Sequence, residues 1–240
     1  MKEQQRLEPY LAACRFVEEN YPDCTGALLA GSVVRGQTTE TSDLDIVIFD
    51  QQVETSYRES RIECQWPVEV FVHNLTSYRH FFKSDCARGR PSLPRMVAEG
   101  KVISGEEYLT DIKKEAERLL AMGPAPWDYQ TIESKRYFLT DTLEDVIGAT
   151  EAGEELFAVN TLAELLSEFI LRTNQQWTGT SKWLARSLRD YDKGLAQQFI
   201  NLFDHYYRCR EKGPLIDFTD QVLKPYGGRL FAGFSRGKDS

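Results

Sequence analysis

The sequence predicts an α+β protein, in which a mixed sheet with flanking helices is followed by a bundle of helices. Short apolar runs bounded by turn residues predict strands in the first half, and apolar residues at helical spacing dominate the second half. Between the halves, residues 122–127 (MGPAPW) carry two prolines and a glycine, which interrupt helices. We therefore predict a first domain over residues 1–122, a helical domain over 128–225 and a flexible tail over 226–240.

Helices and strands alternate along the predicted first domain. Residues 4–20 place apolar side chains at helical spacing before a Tyr-Pro-Asp turn, which predicts the first helix. The other predicted elements are strands at 26–31, 44–50, 57–65, 68–74 and 101–104, and helices at 75–86 and 109–120. This interleaving favours a sheet with helices packed on it.

The composition is that of a globular protein, with 41% hydrophobic and 28% charged residues. No apolar run approaches the roughly 18 residues that span a bilayer, and the first residues lack the apolar core of a signal peptide. We expect a cytoplasmic protein without a membrane partner. Its five cysteines form no CxxC pair, so we expect reduced, structural thiols.

The charge balance argues against a protein that grips nucleic acid. There are 29 basic and 37 acidic residues, which give a net charge of −8. Binding to a phosphate backbone depends on lysine and arginine, so a neutral or cationic partner fits this chain better.

The strongest local pattern is a turn followed by two acids. Gly31 and Ser32 follow a predicted strand, where glycine permits a tight turn and the serine hydroxyl and backbone amides can bind phosphate. Asp43 and Asp45 stand at the start of the next apolar strand, and alternation places both on one face. Acids at the beginning of a buried strand need a function or a partner.

Glu69 is a third acid, inside the apolar strand 67–72. A lone charge there is costly unless it is compensated, either by a cation or by an ion pair with an arginine. Two aspartates and a glutamate offer the hard oxygen ligands that Mg²⁺ prefers.

These residues resemble the DNA polymerase beta-like nucleotidyltransferase superfamily. The resemblance covers about residues 25–75 and lies in the segments GSVVRGQTTETSDLDIVIFD and WPVEVFVH, the second of which is similar to the third-acid strand of kanamycin nucleotidyltransferases. The matching positions are Gly31, Ser32, Arg35, Gly36, Ser42, Asp43, Asp45 and Glu69.

The resemblance implies a magnesium-dependent enzyme that uses ATP. Two Mg²⁺ ions would bind Asp43, Asp45 and Glu69 and the nucleotide phosphates, and an acceptor hydroxyl would take AMP with release of pyrophosphate. The implied partners are a nucleoside triphosphate and a small molecule such as an aminoglycoside or lincosamide. The implied nucleotide-binding residues in this part of the chain are Gly31, Ser32, Arg35 and Ser42. Arg35 has an alternative in an ion pair with a nearby acid such as Glu40.

The resemblance also implies a general base in the helical half. Glu164 and Glu168 lie four residues apart on an otherwise apolar helix face, and we favour Glu168. The alternative is a helix rim where glutamates meet solvent or an arginine. Lys182 could reach the triphosphate or be a surface lysine. Three further acids could line an acceptor pocket or form a solvated face, namely Asp141, Glu144 and Asp145.

Other functions remain as alternatives at this point. The acceptor could be a protein hydroxyl, or the fold could serve as a nucleotide-binding regulatory or antitoxin-like module without turnover. A polymerase or tRNA-end-adding enzyme ranks lower because the chain is acidic. A homodimer, in which a second subunit helps to build the acceptor pocket, is also left open.

Overall fold

The computed structural model describes residues 6–237 and confirms the α+β architecture. The chain divides into two compact units, Met1–Met122 and Gly123–Ser240. The first contains a five-stranded mixed sheet with helices, and the described part of the second contains helices only. No helix in the described range combines the length and apolar character needed to cross a bilayer. The five cysteines, all within that range, form no disulfide.

Every predicted strand is present in the sheet. The strands are β1 (Gly26–Ala30), β2 (Leu44–Phe49), β3 (Tyr57–Glu63), β4 (Trp66–His73) and β5 (Lys101–Ser104). Their spatial order is β3-β4-β2-β1-β5. β2 and β4 are parallel, and the other neighbouring pairs are antiparallel.

Five helices accompany the sheet in the first unit. They are α1 (Pro9–Asn20), α2 (Gly31–Val34), α3 (Tyr78–Ala87), α4 (Ser92–Glu99) and α5 (Glu106–Met122). Two were not predicted. The Gly31-Ser32 turn is the start of the one-turn helix α2, and α4 forms although Pro94 is its third residue, because the first turn of a helix tolerates proline.

The two faces of the sheet belong to separate apolar clusters. On one face, Phe16 of α1 packs with Ile46 and Val70. On the other face, Val47 and Phe49 pack with residues of α3, α4 and α5. Since side chains alternate along a strand, Asp45 lies on the same face as Val47 and Phe49.

The second unit is a helical bundle. Its elements are α6 (Tyr129–Gly148), α7 (Ala152–Thr173), α8 (Lys182–Tyr191), α9 (Lys193–Cys209), α10 (Gly213–Leu223) and a 3₁₀ turn (Lys224–Tyr226). Asp128 begins α6 by accepting a hydrogen bond from Thr131 N at 2.7 Å, and Asp192 caps α9 in the same way. The bundle core includes Leu143 and Leu166, both fully buried.

The chain after the last helix packs against α6. Arg136 donates to the carbonyl oxygen of Gly228 at 3.0 and 3.2 Å, and the Phe234 ring stacks on Tyr137 with 4.0 Å between centroids. Sequence patterns do not indicate these contacts, because each joins residues that are distant in the chain.

Truncation of Ile46 tests the sheet core. Ile46 is fully buried in β2, whereas Ile62 of β3 is 74% exposed, so the two form a matched pair on one sheet. We expect Ile46→Ala to lower the free energy of unfolding by about 2–5 kcal/mol. Ile62→Ala should change it by less than about 0.5 kcal/mol. Urea denaturation measures both, and equal effects would contradict this account of the core.

Candidate metal and phosphate site

The site is built on one row of residues across the sheet. Asp45 pairs with Ala30 of β1 on one side and with Glu69 of β4 on the other. Directly paired residues point to the same face, so the Asp45 and Glu69 side chains are neighbours. Asp43 lies just before β2 and reaches the same place.

The three carboxylates form a cluster that suits a divalent cation. One oxygen from each of Asp43, Asp45 and Glu69 lies within 4.8 Å of the other two, and all three residues are half-buried. Three hard, anionic oxygen donors that leave part of the coordination shell open are suited to Mg²⁺ together with a phosphate ligand. The residues present therefore fit a metal site.

Electrostatic repulsion within this cluster acts on Asp45. Burial, followed by the charges of Asp43 and Glu69, raises the pKa of Asp45 from about 3.8 to about 6. Arg35 and Arg58 act in the opposite direction. Without a cation, the cluster is thus an unfavourable concentration of negative charge.

Gly31 is tightly constrained by Asp45. A Cβ atom on Gly31 would lie 1.9 Å from Asp45 Oδ2, and the backbone φ is +78°, a conformation that side-chain-bearing residues rarely adopt. The backbone at the end of β1 can therefore approach the acid cluster only because residue 31 is glycine.

The two serines predicted to bind nucleotide contact each other. Ser32 Oγ lies 3.3 Å from Ser42 Oγ, which also accepts a hydrogen bond from Thr39 N at 2.8 Å. Ser42 is buried. Its hydroxyl thus ties the loop before β2 to α2, next to the acid cluster.

Comparison with known proteins gives a family. A family model described as a nucleotidyltransferase domain matches residues 13–147, more than half of the 240-residue chain. The chain belongs to the nucleotidyltransferase domain family. No curated protein shows a significant match. Among solved structures, a nucleotidyltransferase-like protein from Exiguobacterium sibiricum 255-15 is 13% identical, with a TM-score of 0.45 over 90% of this chain and 74% of that one.

The family and the acid cluster together support nucleotidyl transfer as the general activity of this transferase. The cluster stands on residues within the matched range, and so do Gly31, Ser32 and Ser42. The two candidate bases, Glu164 and Glu168, and Lys182 lie outside that range, in the second unit.

Arg35 of the nucleotidyltransferase pairs with an acid that the sequence did not suggest. Its Nη1 lies 2.9 Å from Oε2 of Glu99 at the end of α4. The sequence offered Glu40 only as an example of a neighbouring acid, and Glu99 was not considered because α4 was not predicted. Arg35 is still close enough to act on the charge of Asp45.

The sequence allowed two explanations for the buried charge of Glu69, a cation site and an ion pair with an arginine, and the structure is consistent with both. Glu69 belongs to the acid cluster, and its Oε2 also accepts a hydrogen bond from Arg58 Nη2. Arg58 was not singled out from the sequence. The hairpin turn at Cys64 and Gln65 aligns Ser60 with Glu69 and places Arg58 in the diagonal position, but no glycine or asparagine marks that turn in the sequence.

The two candidate bases of the nucleotidyltransferase have different surroundings. Glu164 is exposed to solvent, whereas Glu168 is half-buried and its Oε2 lies 2.6 Å from Nζ of Lys135 on α6. Lys135 Nζ also lies 5.1 Å from the ring centroid of Trp127. Sequence spacing grouped the two glutamates, but only Glu168 has a cationic partner among these contacts.

The remaining predicted residues of the second unit lie on its surface. Lys182 is exposed at the start of α8. Asp141 and Asp145 are exposed on α6, and Glu144 pairs with Arg229 at 2.7 Å. The exposed acids leave this part of α6 negatively charged.

Neutralisation of Asp45 tests the electrostatics of the cluster. The pKa of Asp45 is about 6 in the folded protein, compared with its ordinary value of about 3.8. The folded protein therefore favours the protonated form of Asp45, and the contribution of that form to stability is full below pH 4 and is lost as the pH rises through 6. Without metal, we expect Asp45→Asn to raise the free energy of unfolding at pH 7.5 by about 1–2 kcal/mol, and the difference to shrink towards pH 4.

Magnesium provides the second half of this test. Mg²⁺ should raise the thermal midpoint of the wild-type protein at pH 7.5 and leave that of Asp45→Asn almost unchanged, because a ligand stabilises the folded state that binds it. Differential scanning calorimetry measures both effects. A variant that responds to Mg²⁺ like the wild type would contradict the assignment of Asp45.

Proposed function

We propose that this nucleotidyltransferase transfers AMP from ATP to a hydroxyl group of a small molecule, such as an aminoglycoside or lincosamide antibiotic, and releases pyrophosphate. The observation that carries the proposal is the convergence of three carboxylates beside Gly31. The proposed partners are a nucleoside triphosphate and a small-molecule acceptor.

Asp43, Asp45 and Glu69 would hold two magnesium ions. When bound, magnesium supplies charge that stabilises the attacking and leaving oxygens of a phosphoryl transfer. The contribution of the protein is to hold the three carboxylates in position, and the pairing of Asp45 on β2 with Glu69 on β4 supports this, with Asp43 just before β2.

The backbone around Gly31 would receive the phosphates of the nucleotide. Since residue 31 has no side chain, its backbone lies directly against the Asp45 carboxylate, so a phosphate bound at this backbone would lie next to the acid cluster. Ser32 would donate its hydroxyl to a phosphate oxygen, and Ser42 would hold the loop that presents it. Arg35 and Lys182 would add positive charge for the triphosphate.

Glu168 is the residue that we propose removes the proton of the acceptor hydroxyl. Lys135 holds one of its oxygens at 2.6 Å, which restricts the carboxylate to one orientation. The exposed acids Asp141 and Asp145 would suit an acceptor that carries amino groups.

Label transfer from ATP tests the reaction. With α-³²P-ATP and Mg²⁺, we expect label on one member of a panel of aminoglycosides and lincosamides. Asp43→Asn should abolish this transfer, and Glu40→Gln, which changes an exposed acid of the same loop, should retain it. Label on lysate proteins alone would favour a protein acceptor, and nucleotide binding without any label transfer would favour a regulatory module.

Replacement of the proposed base tests the second unit. Glu168→Gln should lower kcat by about 100-fold or more while KM for ATP changes by less than about twofold, because a general base acts on the chemical step. Glu164→Gln is the matched control, since that glutamate is exposed on the same helix. Steady-state kinetics would refute the assignment if the two variants were equally active.

A further inference from the structure

Arg58 stands beside the acid cluster on the edge strand of the sheet. Among the described strands, β3 has β4 as its single neighbour, and Ser60 of β3 is opposite Glu69. Arg58 is two residues from Ser60 and so projects from the same face, in the diagonal position relative to Glu69. Its guanidinium forms an ion pair with Glu69 Oε2.

The exposure of Arg58 would allow a cation to replace it at Glu69. The Arg58 side chain is 56% exposed, and its guanidinium carbon lies 4.9 Å from the centroid of the Phe71 ring. An exposed ion pair of this kind contributes little to stability, and a long side chain on an edge strand has room to move. Glu69, in contrast, is only 27% exposed and lies in the middle of β4, so its carboxylate has less freedom to move than the arginine.

The charge of Arg58 acts on a second acid of the cluster. In addition to its contact with Glu69, Arg58 lowers the pKa of Asp45, which burial and the neighbouring acids raise. The guanidinium thus supplies positive charge to two of the three carboxylates whose oxygens lie within 4.8 Å of one another. A divalent cation at these oxygens would supply the same charge and would be repelled by the arginine.

We propose that Arg58 is a built-in competitor of the divalent cation, which it replaces at Glu69 when no cation is bound. The inference rests on the proposed function, because it assumes that Asp43, Asp45 and Glu69 bind the cation. Arg58 keeps the metal-free cluster partly neutralised, and it makes the affinity for a free cation lower than three carboxylates alone would produce.

An opposite role for Arg58 gives the opposite result. If the arginine served to orient Glu69 for the cation, its removal would weaken cation binding, as the loss of a residue that positions a metal ligand does. The sign of the change in affinity therefore separates the two roles.

The test is a titration with Mn²⁺ in the absence of nucleotide, followed by electron paramagnetic resonance of the free ion. Arg58→Ala should bind Mn²⁺ about two- to fivefold more tightly than the wild type, the range expected from loss of an exposed ion pair. Arg58→Lys, which retains the charge, should stay closer to the wild type. Unchanged or weaker binding by Arg58→Ala would overturn the proposal.

Two further variants make the outcome specific. Arg61→Ala is the matched control, because Arg61 lies on the same strand, is 45% exposed and pairs with Glu59 at 2.9 Å instead of Glu69. It should bind Mn²⁺ like the wild type. Asp45→Asn should lose Mn²⁺ binding. If Asp45→Asn still binds Mn²⁺, the metal site itself is wrongly assigned. If Asp45→Asn loses Mn²⁺ binding but Arg58→Ala does not bind Mn²⁺ more tightly than the wild type, only the role of Arg58 is refuted.

Thermal midpoints give a second readout on the same proteins. Without metal, Arg58→Ala should melt at a lower temperature than the wild type because Glu69 and Asp45 lose a positive neighbour, and saturating Mn²⁺ should raise its midpoint by more than that of the wild type. An equal Mn²⁺-induced rise in both proteins would contradict the competition.

Discussion

The candidate site depends on the parallel pairing of β2 with β4. This register sets Asp45 beside Glu69 and, through the antiparallel partner β1, Ala30 beside Asp45. A shift of one residue would turn Glu69 to the opposite face of the sheet, among the apolar side chains that pack on α1. The apolar residues on both faces of β2 and β4 resist such a shift, so core packing also fixes the acid cluster.

The same register creates an electrostatic cost that the fold compensates locally. Partial burial and the charges of Asp43 and Glu69 both disfavour the ionised form of Asp45. Arg35 forms an ion pair with Glu99 on α4, while Arg58 forms an ion pair with Glu69. Arg58 donates to an oxygen of the cluster itself, whereas Arg35 pairs with Glu99, which lies outside the cluster. The site is therefore arranged to receive more positive charge than these arginines supply.

Much of the first unit could be read from local patterns. Apolar runs bounded by turn residues predicted β1, β2 and β4, since a buried strand needs such a run wherever it lies in the fold. The edge strand β3 was also predicted, although it is mostly polar and exposed. The same rules missed α4, whose prolines at 91 and 94 are breakers in a local pattern but are harmless at a helix start. They also missed the hairpin at Cys64 and Gln65, which have φ angles of +48° and +64° although neither is the glycine or asparagine that usually marks such a turn.

The sequence alone determined the candidate chemistry: Gly31 with Ser32, the aspartates 43 and 45, and a glutamate inside an apolar strand are local features that restrict the possible explanations. Only the tertiary structure decided the partners of these residues. The pairing of Arg58 with Glu69, of Arg35 with Glu99 and of Lys135 with Glu168 joins different elements of the fold. Such pairs depend on strand register and helix packing, which arise from the summed burial of many side chains. The sequence around the paired residues therefore contains no local pattern that indicates the pair.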